Sequence, residues 1–164
     1  MTTMPVISIL LVSLYVSAAI WKTRKLPESI SAMVYILPKG GWQWLWTIWL
    51  IVVNVLTFTP AIRLLDRTGY GFIGFLPMVC LSFVAVWPLF DADHRRWHYI
   101  LAVIGGIASQ FCVFHINPWY LTVWAIWGVM LVWETKDQSI DNWKWSVFLA
   151  EGLCFVSLIG AILL

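Results

Sequence analysis

Six long apolar runs, separated by short polar stretches, constrain this chain more than any other feature of its sequence. We place them at residues 5–21, 42–60, 71–90, 98–116, 119–133 and 145–164. About 20 helical residues cross the hydrocarbon core of a bilayer, and a helix satisfies its own backbone hydrogen bonds there. The sequence therefore predicts an all-α, polytopic transmembrane bundle with six spanning helices, forming a single domain over residues 1–164.

Composition supports this class and excludes others. Hydrophobic residues make up 62% of the chain and charged residues 11%, whereas soluble domains carry about 25% charged residues. Phosphate-binding loops, dinucleotide-binding glycine patterns and hydrolase elbow motifs do not occur. The net charge of +2 reflects membrane topology, so we expect the lipid bilayer as the main partner and no nucleic acid.

The stretch at residues 29–37 is apolar but too short to cross a bilayer. Pro27, Glu28 and Ser29 form a plausible helix start before it, and Pro38 a stop after it. We therefore predict a short interfacial or re-entrant helix in the first cytoplasmic loop.

Basic residues give the orientation. With six spans, one side of the membrane carries only Arg63 and Arg67. The other side carries the remaining eight, which are Lys22, Arg24, Lys25, Lys39, Arg95, Arg96, Lys136 and Lys144. Because cytoplasmic loops are enriched in Lys and Arg, both termini are expected on the non-cytoplasmic side of a bacterial inner (plasma) membrane.

Tryptophan is unusually frequent, with 13 residues. Most lie at predicted helix ends, where an indole ring sits well in the membrane interface. Four lie deeper, and they either line an aromatic pocket or meet lipid: Trp46, Trp49, Trp124 and Trp127. The spacing of Trp42, Trp46 and Trp49 places these three on one face of the second helix. In the fourth span, a stripe of small residues predicts close packing of a central helix: Ala102, Gly105, Gly106 and Ser109.

Glu151 is the clearest ionisable residue inside a predicted span. Such a group is costly in lipid and is a functional candidate for that reason. A proton or cation site, a metal ligand and an internal hydrogen bond would each accommodate it. The other polar residues within or near the spans, Asn54, Gln110 and His115, are expected to form hydrogen bonds between helices.

A second candidate site lies at the junction of the third and fourth spans. Asp91, His94 and His98 follow a spacing that places them on one helical face. Carboxylate and imidazole groups bind zinc, which activates water. We therefore predict a metal or polar cluster at the cytoplasmic surface, to which Glu28 and Ser29 also belong. Glu151 points toward it from within the membrane. The alternative is an ordinary charged loop whose acidic residues favour a helix N-terminus.

An early serine segment followed by an acid and a histidine at a helix junction resembles part of the pattern of the CREST superfamily, membrane hydrolases that include alkaline ceramidases. The resemblance implies a seven-helix bundle with zinc held by a serine, an aspartate and three histidines, with Ser29 or Ser31, Asp91 and His98 as the early members. This sequence has no histidine after His115, so Glu151 would have to replace the late pair. Residues 26–31 also resemble a motif of small bacterial membrane proteins.

Three functions remain open from the sequence. The first is a small transporter, channel or lipid-handling protein with a polar site in its cytoplasmic half. The second is a metal-dependent hydrolase acting on lipid. The third is a non-catalytic accessory subunit, packed on copies of itself or on another membrane protein.

Overall fold

The computed structural model describes residues 2–24, 29–36, 41–90, 95–137 and 142–164. Within these ranges the chain is helical and contains no strand, which confirms the predicted all-α bundle. The α-helices are α1 Thr3–Thr23, α2 Gly41–Asp66, α3 Phe75–Phe90, α4 Arg96–Ile116, α5 Trp124–Asp137 and α6 Asn142–Leu163. Short 3-10 helices cover Ser31–Ile36, Gly71–Gly74 and Pro118–Val123.

Among the described residues, five helical segments are long and apolar enough to cross a membrane: Thr3–Lys22, Trp42–Asp66, Gly71–Phe90, Arg96–Ile116 and Ser146–Leu163. The predicted fifth span is shorter, an apolar helical stretch over Pro118–Val132. Its first turns are 3-10 rather than α-helical, and the Asn117 side chain accepts a hydrogen bond from the Trp119 backbone N–H there. The chain is thus of integral-membrane type, and the fifth span occupies nearly the predicted residues 119–133 but is shorter than the other five.

Helix α4 is central, as its small-residue stripe predicted. It packs on α3 and α6 and also contacts α2, while α3 lies between α2 and α4. At Gly105 a Cβ atom would lie 3.1 Å from Leu81 and 3.2 Å from Cys80, which shows how closely α3 approaches this helix. Helix α5 packs mainly on α6, and α1 mainly on α2.

The described residues 29–36, between α1 and α2, lie inside the bundle. We call residues 29–36 the connector. Its Met33 and Val34 are 1% and 0% exposed and pack with Trp46 of α2. The connector is therefore not a helix resting on the surface, and its burial agrees with the re-entrant alternative of the prediction.

A second buried cluster closes the opposite end of the bundle. It joins the C-terminal halves of α2, α4 and α6 through Phe58, Ala61, Leu65, Cys112, Val113, Leu158 and Ala161. Polar contacts also hold neighbouring helices together, with Ser8 and Thr57 hydroxyl groups 2.7 Å apart and the Thr47 hydroxyl donating to the Ala85 carbonyl at 2.8 Å. These two ends leave a less tightly filled region between them.

Candidate functional site

A cavity of about 500 Å³ occupies the middle of the bundle, between α2, α4, α5 and α6. Most of its wall is apolar, and its size falls within the range of about 300–1,000 Å³ for small-molecule sites. Val103 and Ile107 of α4 line it and are 60% and 57% exposed. The cavity therefore opens sideways beside α4, in the direction from which a molecule dissolved in the bilayer would enter.

Deep tryptophans contribute to this wall. Trp46, Trp49, Trp124 and Trp127 all line the cavity, which favours the pocket over lipid contact as the interpretation of these four. Trp42 shares the predicted face with the first two, yet it is 52% exposed and Lys22 lies over its ring. The aromatic pocket thus begins one turn deeper than that face suggested.

Glu151 lies at the connector end of the cavity and accepts four hydrogen bonds. Its Oε1 accepts from the hydroxyl groups of Ser29, at 3.0 Å, and Ser31, at 2.6 Å. Its Oε2 accepts from the backbone N–H groups of Ile30 and Ser31. All four partners are donors, a set that suits an ionised carboxylate because that group only accepts.

The local backbone explains why the connector needs this carboxylate. Ile30 and Ser31 stand at the start of the 3-10 helix Ser31–Ile36, where the first N–H groups have no partner within the helix. An anion at a helix N-terminus satisfies those groups and meets the positive end of the helix dipole. Glu151 therefore links the connector to α6 by hydrogen bonds. One of its partners is Ser29, which also belongs to the predicted site.

His98 lies behind the connector and not at the surface, where the sequence placed it. It is 0% exposed, and its ring meets Tyr35 edge-on at 5.2 Å. Neither ring nitrogen makes a hydrogen bond of ordinary geometry with the described residues, although backbone groups of Ser31 and Val84 lie beside the ring. The correction follows from α4, which begins at Arg96 and places His98 within its first turn, facing α3 and the connector.

The predicted metal cluster is only partly described. Glu28, Asp91 and His94 lie outside the described residues. The described part of the chain contains no group of three His, Cys, Asp or Glu side chains that could hold a metal ion. Of the three predicted metal ligands, His98 is the one that lies within the described residues, so the zinc site and the hydrolase chemistry implied by the CREST resemblance stay predictions.

Gln110 is the polar centre on the α4 side of the cavity. Its Oε1 accepts from Trp124 Nε1 of α5 and from the Ser157 hydroxyl of α6, each at 2.9 Å. Its Nε2 donates to the Ser109 hydroxyl at 2.9 Å. This confirms the predicted interhelical role, because one amide joins three helices.

Within the described ranges, His115 does not form the interhelical hydrogen bond that we expected. Its Nδ1 pairs with the Phe111 carbonyl, one turn earlier in the same helix, and its ring lies 4.5 Å from that of Tyr70. It therefore caps α4 locally and lies away from the cavity.

Two donors in the cavity wall have no partner among the described residues. They are the side-chain amide nitrogen of Asn54, a residue 3% exposed, and Nε1 of Trp46, a residue 1% exposed. A buried donor without a partner costs about 1–3 kcal/mol. Asn54 was expected to form a hydrogen bond between helices, whereas its amide nitrogen is buried without a partner among the described residues.

Comparison of the chain with protein-family models, with curated proteins and with solved structures finds no match. The functional argument therefore depends on the cavity and its polar groups alone.

Proposed function

We propose that this protein binds an amphipathic, lipid-like molecule in the cavity between α2, α4, α5 and α6, as a lipid-handling or amphiphile-transporting membrane protein. The observation that carries the proposal is an apolar cavity of about 500 Å³ that opens beside α4. Apolar pockets with a few polar groups are the usual form of small-molecule sites. In a bilayer, lipids are the most abundant apolar molecules beside such an opening, and they can enter and leave the cavity.

Polar groups at two positions support an amphiphile over a purely apolar ligand. Glu151 and Ser31 line the connector end, while Asn54 and Gln110 line the middle. A hydrocarbon would lie against these polar side chains without any polar atom of its own, whereas an amphiphile can bring a polar atom to that wall. The cavity thus suits a molecule with one apolar chain and at least one polar group.

A substitution that fills the cavity tests the proposal. Ala102 lines the cavity on α4, and Ala102→Phe should weaken saturable binding of a fluorescent monoacylglycerol by the protein in amphipol at least about tenfold, because the ring occupies the ligand's volume. Ala125→Phe is the matched control, since Ala125 is exposed on α5 and outside the cavity lining. Val103→Trp, at the exposed opening, should slow entry of the probe without filling the core.

Binding that does not saturate, or that is equal in Ala102→Phe and Ala125→Phe, contradicts the proposal. The accessory-subunit alternative would then be favoured, and co-purification with a second membrane protein or formation of a homo-oligomer would test it. The thermal midpoints of both variants are measured beside the binding, so that a misfolded variant is recognised.

The predicted orientation belongs to the same proposal, with the connector end facing the cytoplasm of the cell. Lys22, Arg24 and Arg95 lie near that end, and the positive-inside tendency supports this placement. A cysteine at the exposed Thr2 should react with a membrane-impermeant maleimide in intact cells, whereas one at Arg95 should react only after lysis. The reverse labelling pattern contradicts the orientation and leaves the cavity argument untouched.

A further inference from the structure

The exposed part of the cavity wall is confined to one face of α4. Of the described residues that line the cavity, three are exposed: Tyr99 at 41%, Val103 at 60% and Ile107 at 57%. They are spaced four residues apart, so they follow one face of the helix over about 12 Å at 1.5 Å per residue. The described lining residues of the other elements are buried or partly buried. The opening therefore runs along these three residues, which we call the portal strip.

Helix α5 faces the portal strip across the opening. Its Trp124 and Trp127 line the cavity, and the helix packs on α6 and on the 3-10 helix that precedes it. Trp127 Nε1 donates to the Ser146 carbonyl of α6 at 3.1 Å, whereas Trp124 Nε1 donates to Gln110 Oε1 of α4 at 2.9 Å. A described hydrogen bond thus joins α4 to α5 just beyond the portal strip, three residues after Ile107.

The portal strip lies in one half of the membrane. Arg95 and Arg96 are exposed at the start of α4, and basic side chains at the end of a span mark the membrane surface. Ile107 is the last residue of the strip and lies about 16 Å along the helix from Arg96, near the midplane of a hydrocarbon core about 30 Å thick. Beyond it, Phe111 and Phe114 are exposed but do not line the cavity.

Described residues stand at both ends of the cavity, so its access is lateral. At the connector end, Ile30 and Ser31 belong to the wall, and their backbone N–H groups donate to Glu151 of α6. The start of α4 is at this same end, because the ring of His98 meets Tyr35 of the connector edge-on at 5.2 Å. At the other end, the buried cluster of α2, α4 and α6 fills the bundle. The portal strip therefore opens into the leaflet at the connector end.

We propose that the cavity takes its ligand from this one leaflet: a lipid at the connector end inserts an acyl chain between α4 and α5 along the portal strip. The inference rests on the proposed function and specifies the source of its ligand. A lipid of that leaflet has its headgroup near Arg96 and its chain directed toward the midplane, so the chain already runs beside the strip. A lipid of the opposite leaflet would meet the strip only with its chain end, unless its headgroup entered the hydrocarbon at a high cost in free energy.

Membrane vesicles of both orientations test the leaflet. The probe is a lysophosphatidylcholine with a photoactivatable diazirine on its chain, because its charged headgroup crosses the hydrocarbon slowly. Vesicle orientation is measured with the impermeant maleimide on cysteines at Thr2 and Arg95. Probe added to the side that exposes position 95 should crosslink to the wild type at least about fivefold more than probe added to the side that exposes position 2. Ala102→Phe, which fills the cavity, gives the background.

A larger side chain on the portal strip tests the route. In amphipol, Ile107→Trp should slow both association and dissociation of the fluorescent monoacylglycerol at least about fivefold, with the affinity kept within about twofold, because the opening is narrowed and the site is not. Ile104→Trp is the matched control, since Ile104 is 43% exposed on the same helix and outside the cavity lining. It should keep the wild-type rates. Thermal midpoints are measured for both variants, and Val103→Trp replaces Ile107→Trp if the latter is destabilised.

The outcomes separate this inference from the proposed function. Equal crosslinking from the two sides, or stronger crosslinking from the side of position 2, overturns the leaflet assignment even when binding saturates. Equal rates in Ile107→Trp and Ile104→Trp overturn the portal strip as the route. Wild-type protein that binds no probe in a saturable manner contradicts the proposed function itself.

Discussion

The α6 side and the α2 side of the cavity treat their polar groups in opposite ways. On α6, Glu151 accepts four hydrogen bonds from the connector, and Ser157 donates to the amide of α4. On α2, Asn54 and Trp46 keep donors without partners among the described residues. A satisfied group gains little from a bound molecule, whereas an unpaired donor gains a full hydrogen bond. The first side therefore links α6 to the connector and to α4, whereas the second side keeps two buried donors without partners among the described residues.

The largest expected effect comes from removing the acceptor on α6. Glu151→Ala removes the acceptor of two backbone N–H groups and two hydroxyl groups of the connector, and we expect a loss of about 3 kcal/mol in the free energy of unfolding. The measurement is unfolding by SDS titration. Labelling of a cysteine placed at the buried Met33 should also rise, because the connector loosens. Val156→Ala, exposed on the same helix, is the control.

A loss below about 1 kcal/mol for Glu151→Ala, with the Met33 position still protected, would contradict the division between the two sides. The connector would then be held by its apolar packing against α1 and α2 alone.

The smallest expected effect lies within α2 itself, between two tryptophans of the cavity wall. Trp49→Phe loses the hydrogen bond to the Leu11 carbonyl, whereas Trp46→Phe loses an indole nitrogen that has no described partner. The two substitutions remove similar volumes, so Trp49→Phe should cost about 0.5–1 kcal/mol more than Trp46→Phe. Unfolding of the two variants side by side measures the difference. Equal costs would show that the unpaired state of Trp46 has no energetic consequence.

The sequence was sufficient for the fold class because length and hydropathy decide it. Helix ends were harder to predict. Pro60 suggested the end of the second span, yet α2 continues to Asp66 with the proline inside it, since a transmembrane helix tolerates proline when neighbouring helices pack around it. The predicted fifth span, residues 119–133, instead begins within a 3-10 helix over Pro118–Val123 that precedes α5.

The candidate site was predicted in part. Counting spans placed Ser29 and Glu151 on the same side of the membrane, and the structure brings them into contact. Helical spacing also placed His98 near this side but not in the interior, because burial of a first helical turn depends on what packs over it. The buried, unpaired amide nitrogen of Asn54 had no sequence signal, because whether an amide meets a partner depends on how several helices pack around it.

The hydrogen bonds to Glu151 also bear on how the protein is made. The connector precedes its acceptor by about 120 residues along the chain. During synthesis the backbone N–H groups of Ile30 and Ser31 have no carboxylate acceptor until α6 has been made. Until then the connector has unpaired polar groups. The arrangement of the early helices is therefore completed only when α6 inserts and Glu151 accepts these hydrogen bonds.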